Sequence, residues 1–105
     1  MSNKPVTDQL KKVLAETYGL MLKTQNYHWN VEGPNFPGLH ALFMAQYSEL
    51  FLAVDLIAER IRALDAPAPG TYAEFARLTA IAETVGVPDA DTMTRVLLDG
   101  HETVC

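Results

Sequence analysis

Apolar and small residues recur at spacings of three and four through the first part of the chain. From about Asp8 to Val31 the stripe runs Leu10, Val13, Leu14, Thr17, Leu20, Met21, Thr24 and Val31. That period places one apolar face on an amphipathic helix. Thr7 stands before the stripe as a candidate N-cap, and Gly19, the one breaker inside it, offers a point where another helix comes close. From about Leu39 to Leu64 two ladders run at sevenfold spacing. One holds Phe36, Phe43, Leu50, Ile57 and Leu64; the other holds His40, Tyr47, Val54 and Ile61. Side-by-side ladders of this kind suit long helices packed near +20°. Thr71-Tyr72-Ala73-Glu74 reads as a capping box that opens a short helix through about Leu78. A last stripe begins near Asp89 and passes through Met93, Val96, Leu97 and Val104, with Gly100 failing to end it.

Glycine and proline cluster only at 33–38, 67–70 and 86–88, and no segment between them alternates with period two. The pattern therefore predicts an all-α chain: two long antiparallel helices, one short crossover helix and a third bundle helix cut short. The connection from Asp65 to Asp89 spans the length of the bundle, as in a crossover topology. Three helices with wide apolar faces leave a groove that something else must cover.

Composition narrows the class. The chain has 105 residues, the size of one domain, with 8 Lys and Arg against 13 Asp and Glu and a net charge of −5. That balance argues against indiscriminate binding to nucleic acid or anionic membranes. No uninterrupted apolar run reaches the roughly 18 residues of a spanning helix, so no transmembrane segment is expected. Met1 to Leu10 lacks the apolar core of a secretory signal. The single cysteine, Cys105, has no internal partner, which fits a reducing, cytoplasmic setting.

Three histidines, the carboxylates and one tryptophan are the raw material for chemistry. His28 shares the inward stripe of Leu14 and Met21, and His40 heads a ladder of the second helix. A lone histidine on an apolar face is usually a satisfied core residue. Two that flank one tight turn stand at the same end of a helical hairpin and are harder to dismiss. Asp55 and Glu59 are neighbours four apart on the second helix, where like charges repel by a few tenths of a kcal/mol. They suit a solvated face, with Glu59 reaching Arg62, or a metal-ligand pair, since hard or borderline cations take carboxylate oxygen and imidazole nitrogen. The pair alone favours the solvated face. From His40 to Asp55 the helix rises roughly 22 Å, and to Glu59 roughly 28 Å. No single ion touches both ends within one chain. If the four residues share a site, two chains must pair antiparallel along their second helices.

Asn26-Tyr27-His28-Trp29-Asn30-Val31-Glu32-Gly33, Phe36, Leu39-His40-Ala41-Leu42-Phe43, Tyr47 and Asp55-Leu56-Ile57-Ala58-Glu59-Arg60-Ile61 together resemble the Dps-type mini-ferritins of the ferritin-like superfamily. The likeness runs from about Leu10 to Cys105. It implies a single ferritin-like domain over 1–105, C-terminally incomplete: a four-helix-bundle subunit that stops within the third helix and lacks the fourth. It implies a twelve-subunit shell that oxidises Fe(II), preferably with hydrogen peroxide rather than oxygen, and stores ferric iron. This is a ferroxidase, an oxidoreductase acting on metal ions, provided the cage or at least the two-fold dimer forms. His28 and His40 match the family's imidazole ligands, Asp55 and Glu59 its carboxylate ligands across the two-fold. Trp29 matches the aromatic residue beside the centre. Zinc or manganese are possible substitutes for iron in such a donor set.

The departures count as well. One turn after His40, where many members carry another acidic ligand, this chain has Met44, a poor donor for hard iron. DNA binding by a lysine-rich tail finds only Lys4, Lys11 and Lys12 here. Two other readings stand beside the mini-ferritin one: a non-catalytic helical fragment unable to build a cage, and a DNA-binding protein without strong iron chemistry.

Overall fold

The computed structural model describes residues 4–81 and 86–104; Cys105 and the side chains of Thr103 and Val104 lie outside the described residues. Four helices follow one another: α1 (Lys4–Asn30), α2 (Phe36–Ala63), α3 (Tyr72–Leu78) and α4 (Ala90–Val104). They form an elongated body of 56 × 22 × 21 Å with no strand among the described residues. The all-α fold expected from the periodicity is the observed one.

The α1–α2 hairpin is the frame. Its turn closes through Val31 N–H donating to the Tyr27 carbonyl at 2.9 Å and Phe36 N–H donating to the Gly33 carbonyl at 3.1 Å. Gly33 sits at φ +112°, where a side chain would strain the backbone. Pro37, within the first turn of α2, gives up an N–H that would have no helical partner there. Leu20, Met21, Tyr27, Val31, Phe43 and Leu50 bury into one cluster, joined from α4 by Met93 and Leu97. Tyr27 and Phe43 meet tilted at 6.4 Å between ring centres. Truncating a buried aromatic of this kind costs about 3–5 kcal/mol.

Two local expectations change. Thr7 is not the cap of α1: the helix already starts at Lys4, and the buried Thr7 hydroxyl donates to the Lys4 carbonyl from inside the first turns. Gly19 admits no helix. A Cβ there would meet Thr79 Oγ1 at 3.3 Å and Ile81 Cβ at 3.5 Å, so it is the strand of chain leaving α3 that comes close. The close helix–helix approach is instead at Gly100, where a Cβ would stand 2.6 Å from Leu20 Cδ1. In the ladders, Phe43, Leu50 and Ile61 are buried, while Phe36 at the N-terminus of α2 is exposed.

The caps explain where the short helices begin. Thr71 Oγ1 accepts from Glu74 N–H at 3.2 Å, the forward half of a capping box, and the Glu74 carboxylate accepts from the Thr71 hydroxyl at 2.8 Å. Asp89 opens α4 by accepting from Thr92 N–H at 2.8 Å. That backbone N–H, ahead of the Thr92 side chain, holds the exposed Asp89 carboxyl below its ordinary value. A depressed carboxylate stabilises the fold above its unfolded value near 3.9 and loses that contribution as pH falls through its folded value. Acid titration followed by circular dichroism should therefore show α4 fraying only below about pH 4. Asp89→Asn should keep the cap at neutral pH and abolish that acid step.

α2 is long and apolar enough, by length and composition alone, to cross a membrane, although its charges interrupt any continuous apolar run. Its inner face packs on α1, which accounts for Phe43, Leu50 and Ile61. The surplus lies outside: Leu42, Met44, Phe51, Leu52 and Leu56 are exposed, Leu56 by 68%. A long helix with apolar residues on both sides needs a second partner.

Candidate metal centre

His28 ends the buried stripe of α1 and is 7% exposed; His40 stands in the second turn of α2, half-buried. The hairpin brings their rings face to face, with centres 3.7 Å apart and planes 18° from parallel. The two residues hold each other reciprocally. His28 Nδ1 lies 2.6 Å from the His40 carbonyl oxygen, and His40 Nδ1 lies 2.6 Å from the His28 carbonyl oxygen. A carbonyl oxygen can only accept, so each Nδ1 carries a proton, and in a neutral ring the lone pair is then on Nε2. The His28 carbonyl is one of the last four of α1, which lack helical donors, so the same contact satisfies the helix end. With both rings neutral, the contact would fix the two tautomers and leave two Nε2 lone pairs for a metal ion. Phe36 stacks on His40 at 4.9 Å, and Tyr47 tilts against His28 at 5.3 Å.

Asp55 and Glu59 lie elsewhere. α2 is continuous from Phe36 to Ala63, so Asp55 is roughly 22 Å from His40 along its axis and Glu59 roughly 28 Å. Among the described residues no group of three or more His, Cys, Asp or Glu side chains comes together. Both carboxylates are exposed, and no Glu59–Arg62 ion pair forms; Arg62 donates instead to the Ala66 carbonyl at 3.1 Å. Lys4 pairs with Asp8 and Lys12 with Glu16, both along α1. The single chain thus holds the imidazole pair and the carboxylate pair at opposite ends of one helix.

A stripe that the sequence reading missed joins them. Ala41, Ala45, Ser48, Leu52, Asp55 and Glu59 follow at alternating steps of four and three, and all six are exposed. That is the spacing of a coiled-coil seam. The signal was present in the sequence, but the larger apolar ladders on the inner face masked it. The stripe is self-complementary about residue 50: run antiparallel against a copy, it sets Ala41 opposite Glu59, Ala45 opposite Asp55 and Ser48 opposite Leu52. The small residues fall where the carboxylates would need room.

Trp29 is 61% exposed and stands on another face of α1. With Tyr18, Leu22, Lys23, Tyr72 and Phe75 it lines a groove of about 390 Å³ between α1 and α3. Tyr18 stacks on Phe75 across it at 4.6 Å, and partial burial there pushes the Lys23 ammonium below its ordinary value. The third histidine, His101 on α4, buries an Nε2 that has no hydrogen-bond partner among the described residues, as does Gln46 Oε1 on α2. Neither belongs to the imidazole pair.

Comparison with known proteins agrees with the fold and the residue pattern. The ferritin-like domain family matches residues 7–105. A low temperature-induced protein of Nostoc sp. is 40% identical over 98 residues, covering 92% of this chain and 55% of its own length. DNA protection during starvation protein 2 of Bacillus anthracis is 34% identical over 100 residues, covering 95% of this chain and 68% of its own. The crystal structure of the Dps protein from Vibrio cholerae O1, described as a ferritin-like diiron-carboxylate protein, superposes with a TM-score of 0.92 at 30% identity. It covers 96% of this chain and 64% of that one. The chain spans between about half and two thirds of the length of these relatives.

Proposed function

Because the chain belongs to the ferritin-like domain family, and within it to the Dps-type mini-ferritins, we propose that it binds and oxidises Fe(II) at a centre shared between two copies. The observation that carries this reading is the reciprocal lock of His28 and His40, which presents two Nε2 lone pairs at one end of a self-complementary helix stripe that carries Asp55 and Glu59 at the other. An isologous pair of α2 helices would bring the imidazoles of one chain to the carboxylates of its partner, twice over. Nitrogen and oxygen donors in that mix suit Fe(II), with zinc and manganese as competitors.

Iron here is the substrate. The imidazoles hold it without charge and the partner's carboxylates neutralise it. Positions left open on the ion admit the oxidant, hydrogen peroxide in preference to oxygen. Oxidised iron would then be stored within a twelve-subunit shell built from such pairs. Trp29, close in sequence to His28 but turned toward the groove, would serve as a sink for stray oxidising equivalents. Light scattering with and without anaerobic Fe(II) tests the reading. A dimer or larger particle that takes up iron supports it; a monomer inert to iron supports the non-catalytic fragment instead and overturns it.

Met44 bears on stoichiometry. It is exposed, one turn beyond His40, and offers a thioether where a second iron would need an oxygen donor. Calorimetric titration with Fe(II) under argon should resolve one tight and one loose site per centre. Met44→Glu should tighten the loose one, and two equally tight sites in the unaltered chain would remove Met44 from the account.

DNA binding has less support. Lys4 and Lys12 are engaged with Asp8 and Glu16, which further thins a basic footprint already weak against the net charge of −5.

A further inference from the structure

Reducing hydrogen peroxide to water takes two electrons, and one Fe(II) supplies one. If Met44 leaves a single well-held iron, as the iron-oxidising reading above has it, the second electron must come from elsewhere. Otherwise the O–O bond breaks to hydroxide and a free hydroxyl radical beside the protein's own side chains.

The rings around the imidazoles offer a donor. Phe36, His40, His28 and Tyr47 form a continuous run, with successive centres 4.9, 3.7 and 5.3 Å apart. Phe36 closes the solvent end and, as a plain hydrocarbon ring, gives up an electron far less readily than a phenol. Tyr47 closes the other end, on the same ladder as His40 two turns further along α2, half-buried against the core cluster. A phenol loses an electron and its proton together, and partial exposure leaves water within reach of that proton. Trp29, the aromatic residue that the sequence singles out, faces the α1–α3 groove on a different side of the helix.

We propose that Tyr47 is the second electron donor of the centre, acting through His28. One Fe(II) and the Tyr47 phenol each give one electron to hydrogen peroxide. The O–O bond breaks, the phenol proton and one solvent proton are consumed, and Fe(III), a neutral tyrosyl radical and two water molecules result. A second Fe(II) reaching the centre then reduces the radical, with one solvent proton restoring the phenol. The two steps sum to two Fe(II) oxidised per peroxide, with no hydroxyl radical released by a centre that holds one iron at a time.

The test loads the chain with one Fe(II) per protomer without air, adds one equivalent of hydrogen peroxide, and freezes the mixture for electron paramagnetic resonance. A tyrosyl signal is expected in the unaltered chain and in Trp29→Phe, and its loss in Tyr47→Phe. Spin-trapped hydroxyl radical should rise severalfold in Tyr47→Phe. Deuterated tyrosine, incorporated into the unaltered chain, should narrow the signal, which shows that the radical is a tyrosyl, and unchanged circular dichroism of Tyr47→Phe shows that its loss there is not misfolding. A signal that survives in Tyr47→Phe, or that vanishes in Trp29→Phe instead, overturns the proposal while leaving iron oxidation intact. Iron that is not oxidised by peroxide at all overturns both this proposal and the function on which it rests.

Discussion

Chains carrying His40→Ala and chains carrying Asp55→Ala should each be inert toward Fe(II), and mixing the two should restore activity. The reason is the placement of the half-sites at opposite ends of α2, too far apart for one ion to bridge within a chain. In a mixed dimer one centre takes both damaged halves, and the other takes the intact His40 of one chain with the intact Asp55 of its partner. Random exchange makes half the dimers mixed, so about a quarter of the wild-type number of centres returns, for a two-fold pair. Both substituted residues lie outside the buried cluster, so neither should unfold the chain. The measurement is the initial rate of Fe(II) oxidation after the variants are co-refolded. If the mixture stays as inert as its components, the ligands do not come from two chains.

Leu52→Glu should dissolve the pairing itself. Leu52 is 64% exposed at the middle of the α2 stripe, where a copy running antiparallel places Ser48 against it. Burying a leucine is worth about 1.5–3 kcal/mol, and two-fold symmetry counts it twice. The substitution forfeits about 3–6 kcal/mol of association before any cost of desolvating the carboxylate, which weakens the pair by at least about a hundredfold. Sedimentation should show a monomer, circular dichroism unchanged helix content, and iron assays no oxidation. An assembly as stable as the unaltered one would mean that the stripe faces something other than a copy. Leu56→Glu, on the adjoining side of the exposed face, should weaken the pair less.

The hairpin and the short helices were legible because their signals are local. Period, turn glycine and capping box each act within a few residues, and Gly33, Thr71 and Asp89 do in the fold what their sequence neighbours require. The misreadings are non-local or a matter of a few residues. Thr7 has the chemistry of a cap, but it lies within α1, which already includes Lys4, and its hydroxyl turns back to the Lys4 carbonyl. Gly19 signalled a close approach without naming what approaches. Gly100, read only as a failed helix stop, turned out to be where α4 comes against Leu20.

By itself the sequence determined the all-α fold, the position of both histidines at one end of a hairpin, and the separation of the carboxylates from them along one helix. Each follows from helical rise and period, which are properties of the backbone. Only the tertiary structure decided that the imidazoles stack and lock one another through opposite carbonyls. It also decided that Tyr47, rather than Trp29, rests on that pair, and that the Ala41–Glu59 stripe of α2 is left exposed. Those outcomes depend on the relative rotation of two packed helices. A periodic pattern tells which face is apolar, but the rotation that pairs one side chain with another is settled by the packing of the whole core.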